Sequence, residues 1–336
     1  MKRIALLIAL AIAAPLHAQQ INGAGATFPY PIYSKWFAEY NRLHSNVQIN
    51  YQSIGSGGGI RQLTAGTVFF GATDGPMTNE QFLAAPTRIL HFPTVLGAVV
   101  PIYNFPGDRD PELRFTGRVL ADIILGRITK WNDPAIASLN PGVALPALDI
   151  TVVHRSDGSG TTYIWCDYLA KVSPDFRKTV GVATSVNWPT GVGAKGNEGV
   201  AGLVKQTPGA FGYVELIYAL QNKIAHGAVQ NMAGTFVRAT VEGVTAAAAA
   251  ASGPAMPKDF RVSITNAPGK DAYPISSFTW LLLYENPRDK VRGRMMVDFL
   301  RWALTDGQKF AASLGYAPLP ERVVALELEA LKRIRL

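Results

Sequence analysis

The chain has 336 residues, 48% of them hydrophobic and 17% charged, with a formal net charge of +8. That balance excludes an intrinsically disordered chain, and the length suits two domains of ordinary size better than one small core. The single cysteine, Cys166, excludes an internal disulfide framework.

Lys2 and Arg3 precede an apolar run from Ile4 to Leu16, and Ala18 offers a small residue behind it. A basic start, an apolar stretch and a small exit residue read as a secretory signal peptide. The run falls short of the roughly 20 residues a membrane-spanning helix needs. Cleavage is expected near Ala18, leaving an exported, periplasmic protein without a lipid anchor. The remaining Lys and Arg residues are scattered, which reads as an ordinary basic surface rather than a polyanion site.

Tyr33, Trp36, Phe37 and Tyr40 share one face of a helix over Ile32 to Leu43. Residues 47 to 53 alternate in the manner of a half-exposed strand. The turn Gly55-Ser56-Gly57-Gly58-Gly59 follows, with a second helix expected from near Ile60. This is α/β grammar. Val68 to Phe70 reads as a short strand, and the apolar segment Phe92 to Tyr103 as a buried strand crossing between domains. Leu113 to Trp131 carries helical spacing, and Asp149 to His154 a short strand. Cys166 lies in an aromatic stretch and reads as packing. The alanine run Ala246 to Ala251 reads as a helix end. Tyr273 to Tyr284 reads as the strand that returns the chain to the first domain. Terminal amphipathic helices are expected over Met295 to Leu304 and Glu321 to Ile334.

Three segments pair small residues with hydroxyls near a helix start. They are Gly23-Ala-Gly-Ala-Thr-Phe-Pro29, Ile54-Gly-Ser-Gly-Gly-Gly-Ile-Arg61 and His154-Arg-Ser-Asp-Gly-Ser-Gly-Thr-Thr162. Helix N-termini attract anions through unpaired N–H groups and the dipole. Thr27 is placed to cap the first helix. The second segment lacks the Lys-Ser/Thr of a nucleotide loop and the G-x-G-x-x-G spacing. In the third, the planar fork of Arg155 suits a tetrahedral oxyanion, with Asp157 placed to orient it. Asp74, in Thr73-Asp74-Gly75-Pro76, adds a carboxylate. Beside an anion it makes sense if the ligand still carries a proton: phosphate does near neutral pH, and sulfate does not. A site that bonds a group rejects analogues lacking it.

In this order, the segments resemble the phosphate-binding receptors of the bacterial Pst phosphate importer. The likeness extends to Leu125-Gly-Arg-Ile-Thr-Lys-Trp131, Trp188-Pro-Thr-Gly-Val-Gly193, Gly209-Ala-Phe-Gly-Tyr-Val214 and Tyr273-Pro-Ile275. The resemblance implies a type II periplasmic-binding-protein fold of class α/β: two domains joined by two crossing strands, with the ligand cleft between them. Domain I is expected over 19–93 and 270–336, domain II over 94–269. The resemblance also implies a phosphate site of Thr27, Phe28, Ser56, Asp74, Arg155, Ser159, Gly160 and Thr161, with Asp157 bracing Arg155. It implies delivery to the membrane subunits of an ABC importer by a monomer that needs no metal or cofactor. Phe69 and His154 stand where an acidic residue and a second Arg can occur in the family.

Two other functions stay open on the residues alone. No metal-ligand spacing, G-x-S-x-G or nucleophile with a nearby base argues for an enzyme, though Asp74 and Arg155 would be at home in a phosphatase. The second is a receptor for another oxyanion or a surface adhesin on the same fold: Asp74 argues against sulfate and molybdate, while arsenate, which matches phosphate in charge and protonation, and adhesion stay open.

Overall fold

The computed structural model describes residues 19–106, 111–249 and 256–336. The signal-peptide reading and the last residues of the alanine run lie outside them. One curled mixed sheet carries the molecule. Its strands are β1 (Gln19–Gly25), β2 (Val47–Ser53), β3 (Phe70–Thr73), β4 (Ile89–Tyr103), β5 (Thr151–Arg155), β6 (Val192–Ala194), β7 (Ala210–Glu215) and β8 (Ser276–Tyr284). They lie in the order β2-β1-β3-β8-β4-β7-β5-β6, and the short strand Ala225–His226 also pairs with β4.

β4 joins the two halves of this sheet. Every one of its 15 residues is buried. Ile89 to Ala98 pair with β8, and Val99 to Tyr103 pair with β7. A strand covered on both faces reads as a continuous apolar run, as this one does. Proline cannot donate to a ladder, and the register with β8 slips between Thr279 and Trp280, opposite Val95 and Pro93. The extra residue, Thr94, donates to the Thr279 carbonyl at 3.1 Å and, its one proton thus used, accepts from the Tyr33 hydroxyl at 2.8 Å.

Helices cover the sheet. Those that matter here are α1 (Tyr30–Leu43), α2 (Ser56–Thr64), α3 (Gly160–Val172), α4 (Gly196–Gln206), α5 (Leu216–Asn222), α6 (Lys290–Leu304) and α7 (Glu321–Leu331). α1 buries Ile32, Tyr33, Trp36, Phe37 and Tyr40, the stripe its spacing predicts. Cys166 is fully buried in α3, where burial pushes its thiol far above the usual range. Among the described residues no helix is long and apolar enough to cross a membrane.

Several elements differ from the sequence reading. α2 begins at Ser56, not near Ile60, because the glycine cluster is itself the first turn of the helix. Gly55, at φ +87°, makes the sharp entry that an L side chain rarely allows. The third strand spans Phe70–Thr73 rather than Val68–Phe70, since Gly71 and Ala72 pair with β1 on one edge and β8 on the other. Helix within Leu113 to Trp131 is confined to Gly117–Ile124, capped by the Thr116 hydroxyl. Arg114–Phe115 pairs instead as a strand in a separate small sheet. The last helix stops at Leu331.

Close packing explains the glycines of α2. A Cβ on Gly59 would fall 2.5 Å from the Gly25 Cα and 2.6 Å from the Ala24 carbonyl oxygen, backbone atoms that cannot turn aside. Gly59→Ala is expected to destabilise the protein by about 1–3 kcal/mol, the usual range for overpacking, read as a lower urea midpoint at an unchanged m-value.

Candidate functional site

In open α/β sheets, ligands bind beyond the carboxyl ends of the strands. The carboxyl ends of five strands meet at one place, three parallel strands from one half of the sheet and two from the other, the two sets running in opposite directions. β1 leads to Thr27 and Phe28, β2 to Ser56, β3 to Asp74, β5 to Asp157 through Thr161, and β6 to Asn197. Thr27, Phe28, Ser56, Asp74, Arg155, Ser159 and Thr161 are between 0% and 3% exposed. The packing between halves is tight. A Cβ on Gly160 would lie 2.5 Å from the Asp74 Cβ and from the Ser56 Oγ, and the Gly57 N–H donates to the Gly158 carbonyl at 2.9 Å. All eight candidate residues and Asp157 are therefore brought together.

Arg155 ends β5 with its guanidinium buried. Its Nε donates to Asp157 Oδ1 at 2.7 Å, its Nη2 to Oδ2 at 2.5 Å, and its Nη1 to Thr161 Oγ1 at 3.3 Å. A guanidinium has five N–H donors, so two remain for another acceptor. Asp157 also accepts from the Gly196 N–H at 3.0 Å. Burial works against its charge, but Arg155 and that N–H outweigh it and hold the carboxyl below its usual range.

Asp74 stands directly after β3. Its Oδ1 accepts from Thr279 Oγ1 at 2.7 Å, and its N–H donates to Ser56 Oγ at 3.1 Å. Burial raises its pKa to about 7, against the opposing pull of Thr279, Arg155 and Ser56. Desolvation thus dominates, and the carboxyl titrates near neutrality.

Helix starts supply the remaining donors. Ser159 caps α3 by accepting from the Thr162 N–H at 3.0 Å. Gly160 is the first residue of that helix, so its N–H has no carbonyl within the helix to bind. Phe28 precedes α1, with its carbonyl taken by the Tyr316 hydroxyl at 2.6 Å. Thr27 does not cap α1: that position belongs to Pro29, without a side-chain cap. The Thr27 hydroxyl instead accepts from the Asn197 Nδ2 at 2.7 Å, across the two halves.

Sequence reasoning missed Asn197, Thr279, Glu215 and the tyrosines 213 and 218. Thr279 lies inside an apolar strand, and only pairing of β8 with β3 puts it beside Asp74. The Tyr218 hydroxyl donates to the Thr27 carbonyl at 2.6 Å, and the Tyr213 hydroxyl accepts the Arg155 N–H at 3.2 Å. Glu215 is buried, with Oε2 accepting from the Ile217 N–H at 2.8 Å, and burial holds its carboxyl well above the usual range. His154 stacks on Trp188 at 5.1 Å between ring centroids, and the Phe69 ring lies under the Arg292 guanidinium at 4.9 Å. The His154 ring Nδ1 lies 3.1 Å from the Arg155 carbonyl oxygen, so it touches the site only through that residue's backbone. Among the described residues no three His, Cys, Asp or Glu side chains gather as a metal site.

Two α/β halves joined through β4 and β8, with buried oxyanion-type donors between them, define a two-domain periplasmic binding protein. The profile of the PBP superfamily domain accordingly matches residues 13–307. The chain belongs to the family of phosphate-binding proteins PstS. It is 48% identical over 305 residues to the phosphate-binding protein PstS of Xylella fastidiosa (strain 9a5c), covering 91% of this chain and 83% of that protein. It is 44% identical over 308 residues to that of Haemophilus influenzae, covering 92% and 91%. Among solved structures, a high affinity periplasmic phosphate-binding protein (PfluDING) bound with phosphate superimposes with a TM-score of 0.73. That match is at 21% identity and covers 91% of this chain and 92% of the other. A putative phosphate ABC transporter substrate-binding protein from Clostridium perfringens gives a TM-score of 0.66 at 18% identity, covering 90% and 100%. At these identities the structural likeness concerns the fold.

A buried acid whose pKa is raised on folding binds more protons in the native state. Its contribution to stability is then complete below the unfolded value of 3.8 and is lost as pH rises through about 7. Asp74→Asn is expected to flatten the decline in stability of the ligand-free protein between those values. Urea unfolding of both proteins across that range measures it, and parallel curves would assign the slope to other groups.

Proposed function

We propose that this protein binds inorganic phosphate in the periplasm and hands it to the membrane subunits of an ABC-type importer. The observation that carries the reading is the Asp74 carboxylate, enclosed with Arg155 and the hydroxyls of Thr27, Ser56, Ser159 and Thr161. Such a set suits an anion that is negative on most sides and still holds a proton on one. The two unused N–H groups of Arg155, the hydroxyls, and the backbone N–H groups of Phe28 and Gly160 would donate to ligand oxygens. Asp74 would face the P–OH. Sulfate would set a bare oxygen against a carboxylate, with no proton between them.

The raised pKa of Asp74 sharpens this account. In mildly alkaline solution Asp74 is ionised, and of the two anions only phosphate brings it a proton. Below about 7 it carries a proton itself and is able to donate to sulfate. Discrimination between the anions is therefore strongest where Asp74 is charged.

On the same reading 19–93 with 270–336 forms one domain and 94–269 the other, a two-part division that the change of β4's partner from β8 to β7 supports. Closure would swing them about β4 and β8, bringing Thr27, Ser56 and Asp74 against the Arg155 loop. The same reading makes the protein a monomeric receptor without catalytic activity, freed from its signal peptide near Ala18. The names of the relatives from Xylella fastidiosa and Haemophilus influenzae, both phosphate-binding proteins, support receptor over enzyme.

Calorimetric titration of the mature, phosphate-stripped protein is expected to show tight one-to-one binding of phosphate and none of sulfate at mildly alkaline pH. Sulfate should begin to compete as the pH falls below about 7. Phosphate binding that is absent under all these conditions would sink the reading. Arg155→Ala is expected to weaken phosphate binding by about 2–5 kcal/mol, since it also strands the partly buried Asp157. Asp74→Asn should admit sulfate at any pH, because an amide donates as well as accepts. A variant that still ignores sulfate would remove the proton-reading role.

A further inference from the structure

Asn197 makes an unusual set of contacts for a residue in the first turn of a helix. Its Nδ2 donates to Thr27 Oγ1 at 2.7 Å and to Thr161 Oγ1 at 3.1 Å. Its backbone N–H donates to the same Thr27 oxygen at 3.3 Å. Its Oδ1 accepts from the Glu215 N–H at 3.0 Å. Asn197 is fully buried, as are Thr27, Thr161 and Glu215. The orientation of the amide is therefore fixed. Turned over, it would set an NH2 group against the Glu215 N–H and its oxygen against the two hydroxyls.

A hydroxyl has one proton and two lone pairs. Asn197 supplies two donors to Thr27, filling both lone pairs. Thr161 receives one donor from Asn197 and another from Arg155 Nη1 at 3.3 Å. The only hydrogen-bonding capacity left on either threonine is its own proton, which must donate. Thr27 lies beyond β1 and Thr161 at the start of α3, so the Asn197 amide, with its own backbone N–H on Thr27 and Arg155 on Thr161, sets the polarity of one hydroxyl from each half of the sheet.

We propose that Asn197 is a specificity-determining positioning residue, which turns Thr27 and Thr161 into obligate donors and so confines the ligand's proton to the Asp74 side. The inference rests on the phosphate reading above. A hydroxyl free to rotate accepts a P–OH as readily as it donates to P–O⁻. A hydroxyl locked by Asn197 has no lone pair left to accept a P–OH proton, which must find its acceptor elsewhere. The site then has a donor pole at Thr27, Thr161 and Arg155 and an acceptor pole at Asp74, and it favours the phosphate form with a single proton.

The test is phosphate titration of Asn197→Ala in two backgrounds, the natural chain and Thr27→Val/Thr161→Val. At mildly alkaline pH, Asn197→Ala should weaken binding roughly tenfold to a hundredfold in the natural background, the scale of one or two lost hydrogen bonds to a charged group. In the double-valine background the same change should cost less than about threefold, because its target hydroxyls are gone. The natural-background loss should shrink in mildly acidic solution, where the doubly protonated anion gains from rotatable hydroxyls. A purely structural role predicts equal losses in both backgrounds and no dependence on pH; either result overturns the proposal, as does unchanged affinity. If Asn197→Ala does not fold by circular dichroism, the comparison of Thr27→Ser with Thr27→Val replaces it. Serine should keep the affinity and valine lose it, and equal affinities would refute the obligate-donor role. A natural protein that does not bind phosphate would instead sink the function itself, a separate outcome.

Discussion

The site depends on keeping charged groups out of water without leaving them unpaired. A guanidinium and a carboxylate buried alone would each be strongly destabilising. Arg155 is held by both oxygens of Asp157 and by the Thr161 hydroxyl. Asp74 is held by Thr279 and by a titration point moved towards neutrality. The two charges receive opposite treatment: Arg155 is braced so that it stays ionised, whereas Asp74 sits where its charge is negotiable. An anion that brings its own proton fits that difference.

The scaffold makes this burial feasible. Five strand ends point into one space, and four of them open into helices whose first N–H groups have no carbonyl within the helix and so turn to groups of the site. Side chains on the approaching loops would fill that space. Gly55, Gly57 and Gly158 therefore bring backbone against backbone where the halves meet. Gly97 serves the same end on β4, where a Cβ would strike the ring of Phe28. β4 lets the contacts be made from two sides, since one continuous buried strand pairs with β8 in its first part and β7 in its second.

Around the charged groups runs a layer of neutral ones. Asn197, Tyr213, Tyr218 and Tyr316 each spend a hydrogen bond on a residue of the site rather than on solvent. The Tyr213 ring is itself stacked on Trp165 at 5.0 Å, so a core aromatic pair fixes the hydroxyl that receives the Arg155 N–H. Packing and polar positioning are thus one structure here. A change in the core of α3 would be felt at the backbone of Arg155.

Much of this was legible in the sequence. The alternation of Val47 to Ser53, the stripe of Tyr33, Trp36, Phe37 and Tyr40, and the unbroken apolar run through Tyr103 are local periodicities, and local sterics enforce them. Glycines beside hydroxyls, with Arg155 two residues before Asp157, announced an anion loop because chemistry and spacing both sit within a few residues. What the sequence left open arises from pairing between distant segments. Thr279 is one polar residue in an apolar strand, and it faces Asp74 only because β8 runs antiparallel beside β3. Asn197 follows an unremarkable short strand, yet its amide reaches a threonine 170 positions away. The start of α2 was misplaced because glycine disfavours helix in isolation, while here tertiary packing leaves room for nothing larger. Local sequence determined which elements form and which side chains bear charge; the tertiary structure alone decided which lone pairs and protons meet, because that depends on strand register and on contact between the two halves.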